Sequence, residues 1–272
     1  MRHWGKAVIL DTADPLGDKY ISLFSDWSQF WKAGSPELFK ASPNTDLYWW
    51  RRDGMPELAL KIYHERIPLP RWWPYFYGRV KRAWRTGVLL YEMDIPVPSP
   101  VALIRHKKGA MVVIMERIHA THFMDMLRRG AIGKEEFRLA GRLTANMHKG
   151  GVAHGDLKWV NLMVSCPGTD HVSGCPLLFF VDFDGSMIFG RGLLKKFSFN
   201  RARAKDVARF IFAAMEEGVD PVLIKGFWQG YVGNIHIHSG FIDLLKYHWN
   251  RLIRKRDNAD LNTGYLDNIL KL

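Results

Sequence analysis

The sequence predicts an α+β chain in two lobes, a small β-rich N-terminal lobe and a larger, mainly helical C-terminal one. Two strand–turn–strand patterns fall before residue 119, "DLYWWRRDGMPELALKIY" and "VALIRHKKGAMVVIMERI". The hydrophobic period then becomes helical with "GKEEFRLAGRLTANMHKGG" and is helical again from "NRARAKDVARFIFAAMEEG" to the end. Two polar clusters, "HGDLKWVN" and "VDFDG", follow directly on that change.

Taken in order, "KYISLFSDWSQFWKAG" places Ile21, Phe24, Trp27, Phe30 and Trp31 near helical spacing, and "SPELFKASPNT" brings turn residues. The first hairpin turns at Asp53-Gly54. "AWRTGVLLYEM" reads as a helix that "DIPVPSP" ends, because proline restricts the residue before it and cannot continue a helix. The second hairpin turns at Lys108-Gly109. Beyond residue 118, Phe137, Ala140, Leu143 and Met147 share a helix face that Gly150-Gly151 terminates. "LMV" and "LLFFVDF" are short strands around a cysteine-bounded loop. The expected lobes are residues 1–118, with an N-terminal extension, and 119–272.

The chain of 272 residues is 47% apolar, enough for a real core, and carries a formal net charge of +12. That surplus favours anionic partners and argues against a cationic substrate. The basic residues are dispersed and form no nucleic-acid motif, so no nucleic acid is expected. "RWWPYFYGRVKRAWR" (71–85) mixes aromatic and basic side chains. It reads either as a core edge with a solvated basic face or as a patch at an anionic membrane surface. No run reaches the roughly 18 apolar residues of a spanning helix, and "AVIL" is too short for a secretory signal. A cytoplasmic location is the expectation. Cys166 and Cys175 bound the loop "CPGTDHVSGC" with His171 and read as two free thiols. The His236-x-His238 pair lacks an acidic partner and reads as structural.

Phosphoryl transfer needs a cation at the phosphates, hard oxygen ligands for a metal and a carboxylate for the attacking hydroxyl. Asp156 can accept the hydroxyl proton and Lys158 can neutralise the moving phosphoryl group. Asn161 and Asp182 offer oxygens that suit Mg²⁺, with Mn²⁺ as the alternative. Lys61, inside the apolar strand "LALKIY", costs desolvation unless an anion meets it, and a nucleotide phosphate would. Each residue also has a bland reading. Asp156 can cap a turn, Asp184 can bond its own turn, and His154 can hold the loop by a hydrogen bond. Asp206 either braces the loop from a helix or pairs on the helix surface with Arg209.

In order and spacing, "LALKIY", "HGDLKWVN" and "VDFDG" resemble the strand lysine, catalytic loop and metal-binding segment of protein-kinase-like enzymes. "HGDL", "DFD" after a strand and "IPVPSPVAL" narrow the resemblance to the bacterial lipopolysaccharide-core kinases, which include the 3-deoxy-manno-octulosonic acid (Kdo) kinases and core heptose kinases. It covers roughly residues 38–210. It implies a bilobal protein-kinase-like fold with ATP between the lobes and adenine against Met115 to Ile118, contacted by backbone groups of Glu116 and Ile118. It also implies a sugar hydroxyl of the lipopolysaccharide core or a lipid A–Kdo precursor as acceptor. The location it implies is peripheral, at the inner face of the inner membrane. Two departures stand out. Ala83 occupies the place of the helix glutamate that pairs with the strand lysine, and Glu92 lies nine residues further on. The phosphate-loop stretch "FKASPNTDLYWW" has no glycine, leaving Ser42, Asn44 and Thr45 as donors. The rival readings are another small-molecule phosphotransferase of the same fold logic and a pseudokinase that serves as a membrane scaffold.

Overall fold

The structure, a computed structural model, describes residues 7–13, 24, 26–64, 73–106, 110–165, 177–190, 193–256 and 264–271. The Lys108-Gly109 turn and the cysteine-bounded loop with His171 lie outside them. The chain forms two compact units, Met1–Glu92 with Val97–Ile118, and Met93–Pro96 with His119–Leu272.

The first unit is built on an antiparallel sheet. Its strands are β1 (Ala7–Thr12), β2 (Ser35–Ala41), β3 (Thr45–Arg51), β4 (Leu58–Tyr63), β5 (Pro100–His106) and β6 (Met111–Glu116). Their spatial order is β1-β5-β6-β4-β3-β2. The two expected hairpins are its centre, β3–β4 closing at Gly54 (φ 71) and β5–β6 pairing antiparallel. Side chains alternate along each strand, so the sheet has two apolar faces. Leu58, Leu60 and Ile62 of β4 point into one cluster with Val112, Ile114, Trp27, Phe30 and Trp50. Trp27 and Phe30 come from helix α1 (Trp27–Ala33), whose N-cap Asp26 accepts from the Ser28 and Gln29 amides at 2.9 and 3.0 Å. Phe30 stacks on Trp50 at 4.5 Å. The other face gathers Tyr63, Leu103, Met111 and Val113 against Val80 and Trp84 of α2 (Trp73–Glu92). Lys61 lies two residues from Tyr63 and so belongs to this face.

Three expectations need correction. The first is the reading of 35–41 as turn, since only 42–44 turns. Strand β2 is an edge strand with an exposed, non-alternating face, so backbone pairing with β3 and not side-chain pattern holds it. The second concerns "AVILDT", which is no loose extension but the opposite edge strand, β1. The third is that α2 begins at Trp73, inside the aromatic–basic stretch.

The second unit carries the helices α3 (Phe123–Arg128), α4 (Lys134–Lys149), α5 (Leu193–Glu216), α6 (Pro221–Val232), α7 (Ser239–Lys255) and α8 (Gly264–Leu270). Its strands are short: β7 (Thr121–His122), β9 (Leu162–Ser165) and β10 (Leu177–Phe180) form one sheet, β8 (Val152–Ala153) and β11 (Met187–Ile188) another. Helices α4 and α6 pack backbone against backbone. A Cβ on Gly141 would run into the Phe227 carbonyl, and one on Gly230 into the Arg138 carbonyl. Phe123, Phe137, Trp159, Phe210 and Phe227 fill the core beside them, Phe210 stacking on Phe227 at 3.8 Å.

Glycine is a poor helix former by about 1 kcal/mol relative to alanine, so two helical glycines should respond oppositely to alanine. At Gly78 nothing lies near an added Cβ, and Gly78→Ala should stabilise by about 0.5–1 kcal/mol. At Gly230 the clash is with backbone, and Gly230→Ala should destabilise by about 1–3 kcal/mol. Chemical denaturation of both variants checks the pair.

Candidate active site

The loop His154–Asn161 runs from β8 through a 3-10 turn at Trp159–Asn161 into β9. Gly155 has φ +79, where a side chain is strained, and a Cβ there would meet the Gly185 carbonyl. The loop is thus in backbone contact with the "DFDG" turn. Trp159 is fully buried among Phe123, Phe137 and Phe210 and fastens the middle of the loop to the core. The Asp156 carbonyl accepts from the Lys158 amide and from Asn161 Nδ2, both at 2.8 Å. Asn161 therefore keeps its amide oxygen for another partner.

A carboxylate from α5 holds the start of the loop. Asp206, fully buried, accepts from the His154 amide at 2.7 Å and the Gly155 amide at 2.9 Å. Of the two readings for Asp206, the brace is what the structure shows. Behind it runs a buried chain: His148 Nε2 lies 3.4 Å from Asp206, His148 Nδ1 lies 2.9 Å from the Tyr231 hydroxyl, and Arg203 Nε donates to that hydroxyl at 3.2 Å. Burial drives the His148 ring below the ordinary histidine range, against the opposing pull of Asp206. Burial likewise pushes the Tyr231 hydroxyl up, so it stays protonated. A neutral His148 that donates from Nε2 to Asp206 and accepts the Tyr231 proton at Nδ1 satisfies every partner. Lys205 completes the brace by donating to the Gly155 carbonyl at 2.7 Å.

The Asp156 carboxylate is half-buried and paired on both oxygens, with Lys158 Nζ at 2.9 Å and Arg209 at 3.0 Å. Arg209 thus belongs to Asp156 and not to Asp206. Asp182 is exposed and sits in the left-handed region at φ 65, uncommon outside glycine. Its predecessor is clamped on both sides: the Val181 amide donates to the Asn161 carbonyl at 3.0 Å, and the Val181 carbonyl meets His154 Nε2 at 3.1 Å. His154 is structural, as the bland reading has it. Asp184 lies in the 3-10 turn Phe183–Gly185, which Ser186 closes onto the Phe183 carbonyl.

In the first unit, Lys61 is half-buried on β4, its ammonium 5.1 Å from the Tyr63 ring centroid. Ala83 is buried in α2. Glu92 is exposed, and nine residues at about 100° each place it on the opposite helix face. The turn 42–44 closes on itself. Ser42 donates its amide and hydroxyl to the Thr45 carbonyl at 2.9 and 2.8 Å, so the exposed Asn44 is what this turn presents. Glu116 ends β6, its amide on the Ser99 carbonyl at 2.9 Å, and Ile118 is half-buried just beyond. His236 and His238 lie in a loop, and among the described residues no three His, Cys, Asp or Glu side chains form a metal cluster. A ligand set of one carboxamide and one or two carboxylates, completed by substrate phosphate oxygens, is nonetheless what magnesium accepts, and Asn161 with Asp182 fits it.

The sequence profile of the lipopolysaccharide kinase (Kdo/WaaP) family matches residues 46–231, well over half of the chain. The chain belongs to this family. No curated protein matches it. Among solved structures, WaaP in complex with acyl carrier protein is 16% identical, with 98% of each chain covered and a TM-score of 0.58. The amicoumacin kinase hAmiN, in complex with AMP-PNP, Ca²⁺ and Ami, is 13% identical over 88% of this chain and 87% of that one, with a TM-score of 0.50. Both likenesses are of fold.

As a member of the Kdo/WaaP family the chain is a lipopolysaccharide kinase, a phosphotransferase that acts on a hydroxyl. The second unit brings Asp156, Lys158 and Asn161 into one loop. The sequence did not point to Arg209 as the partner of Asp156, nor to the chain His148–Tyr231–Arg203. Helical spacing from Asp206 was the available signal for the first of these, because Lys205, Asp206 and Arg209 lie within one turn. For the chain no local signal exists, since His148 and Tyr231 are 83 residues apart.

The buried neutral His148 makes stability pH-dependent with a defined sign. Above pH 6.5 the ring is neutral in both folded and unfolded chains and contributes no slope. Below it the unfolded chain takes up a proton that the folded one refuses, so stability falls by up to about 1.4 kcal/mol per pH unit for this one group. His148→Asn should flatten that part of the profile, as urea midpoints between pH 7.5 and 5 would show.

Proposed function

We propose that this kinase transfers the γ-phosphoryl group of ATP to a sugar hydroxyl of the lipopolysaccharide inner core, on Kdo or heptose, at the cytoplasmic face of the inner membrane. The observation that carries the reading is the Asp156 loop. Its carboxylate is held by two cations, while its own carbonyl is bonded by Asn161, so both groups are set in place before substrate arrives. Asp156 accepts the hydroxyl proton as the acceptor oxygen bonds to phosphorus and the bond to the ADP oxygen breaks. Lys158 swings from Asp156 toward the transferring group and offsets its charge. When bound, Mg²⁺ neutralises the phosphates, and Asn161 and Asp182 would hold it, with Mn²⁺ the alternative. Lys61 and the turn at Ser42–Asn44 are assigned to the phosphates, and the Glu116 and Ile118 backbone to the adenine edge.

Buried Ala83 and misplaced Glu92 favour a second reading, a scaffold with weak catalysis. ATP turnover with deacylated inner-core acceptors decides between the two, with the product located by mass and NMR. Asp156→Asn should cost at least about 100-fold in kcat while Mg-ATP affinity stays within about twofold. Asp182→Asn should instead weaken magnesium-dependent nucleotide binding. Calorimetric titration separates the two, and equal loss of binding in both removes the division of roles.

Membrane association belongs to the same proposal. No described helix is long and apolar enough to cross a bilayer. Within 71–85, Arg71 and Trp72 lie outside the described residues. Trp84 is buried, its indole donating to Asp11 at 2.9 Å, while Lys81, Arg82 and Arg85 are exposed. At about 1 kcal/mol per cation near an anionic surface, replacing these three with alanine should abolish sedimentation with anionic vesicles at low salt and spare transfer to a soluble core fragment. The acyl carrier protein bound by WaaP suggests a protein of that class as a further partner, testable by co-purification.

A further inference from the structure

Helices α5 and α7 each carry cations at a spacing that costs stability. Arg201, Lys205 and Arg209 recur every fourth residue on α5, and Arg251 and Lys255 do so on α7. Like charges four apart on a helix repel. All five line a single cavity of about 440 Å³ within the second unit, together with His248, Met187, Phe189 and Asp156. The volume lies within the roughly 300–1,000 Å³ of small-molecule sites. Among the described residues Asp156 is the cavity's lone carboxylate, and both its oxygens are taken. Lys205 and Arg209 turn toward the catalytic loop, one on the Gly155 carbonyl and one on Asp156. Arg201, Arg251 and Lys255 are exposed, and among the described residues no carboxylate pairs with them. The Arg201 guanidinium lies over the face of Tyr247, 5.6 Å from the ring centroid.

A second feature points the same way. His248 is only 6% exposed, and its Nε2 is buried with no hydrogen-bond partner among the described residues. A buried ring nitrogen left so is uncommon. Burial, and then the charges of Arg201, Lys205 and Arg251, hold the ring below the ordinary range; the Arg201 backbone carbonyl takes the one N–H of the neutral ring, so Nε2 is left as an acceptor toward the cavity.

We infer that this cavity is the acceptor subsite and that it recognises an acidic sugar, whose carboxylate or phosphate is met by Arg201, Arg251 and Lys255 while one sugar hydroxyl donates to His248 Nε2 and another reaches Asp156. The inference rests on the kinase reading above and adds to it the chemistry of the acceptor. A neutral sugar would leave the cations repelling one another. An anion removes that repulsion and is oriented by it, so that the charge which costs stability in the free protein contributes to binding.

The test is the Arg201→Ala/Arg251→Ala double variant of the full chain, assayed with ATP and three soluble acceptors. One carries a Kdo carboxylate, one a phosphorylated heptose, and one is a neutral heptose oligosaccharide. For whichever acidic acceptor the wild type uses, KM should rise at least about tenfold, with kcat and the KM for ATP within about twofold. KM for the neutral acceptor should not move. The carboxylate and phosphate arms identify the anion. The melting temperature should not fall, because a repulsive pair has been relieved, whereas a purely structural role would lower it. Unchanged KM for the acidic acceptors overturns the inference. So does loss of binding to anionic vesicles with those KM values intact, which would make the stripes a membrane face. If the wild type transfers to none of the acceptors, the kinase reading fails first, and thermal shifts with free Kdo and inorganic phosphate judge the cavity alone. A rise that the double variant loses retains the anion site, and no rise ends it.

Discussion

The second unit depends on one buried carboxylate. Asp206 reaches from α5 to the two amides that begin the loop His154–Asn161, those of His154 and Gly155. Without it those amides would be buried donors lacking partners, each costing about 1–3 kcal/mol. A buried charge is itself expensive, and the chain offsets it with three neighbours of graded polarity: neutral His148, protonated Tyr231 and charged Arg203. The cation is thus kept two side chains away. The carboxylate keeps its full acceptor strength for the loop amides instead of losing it to a direct ion pair.

From that anchor the geometry propagates. Gly155 follows the anchored amides and lies against Gly185, Trp159 plugs into the aromatic core, and Asn161 ties back to the Asp156 carbonyl while its own carbonyl holds Val181. Asp156 and Asp182 are therefore positioned by one continuous set of backbone bonds. The left-handed Asp182 persists because its predecessor is bonded at both its amide and its carbonyl.

The central hairpins, the α4 face and the polar loop His154–Asn161 were legible in the sequence, because each is a local pattern: alternation, a 3.6-residue period, or charged and amide groups within eight residues. Edge strand β2 was not, since its residues face solvent and its pairing with β3 is what defines it. Trp159 looked like one more aromatic in a polar motif, and nothing local says that it faces Phe137 and Phe210. The basic cavity was visible only as bulk charge. Its cations are separated in sequence by some fifty residues and meet only through the packing of α5 on α7. In segment 71–85 Trp84 is in the core and Lys81, Arg82 and Arg85 are in water, the arrangement that the core-edge reading describes.

The contact of Gly155 with Gly185 also constrains how such a chain can change over time. A side chain at position 155 would need a positive φ and would have to displace the backbone of the opposing turn. No single nucleotide change can move both segments at once. The two segments are therefore tied to each other by sterics alone. Change is easier at the solvent-facing positions Arg201, Arg251 and Lys255 of α5 and α7, which can be exchanged without disturbing a backbone bond of the loop His154–Asn161.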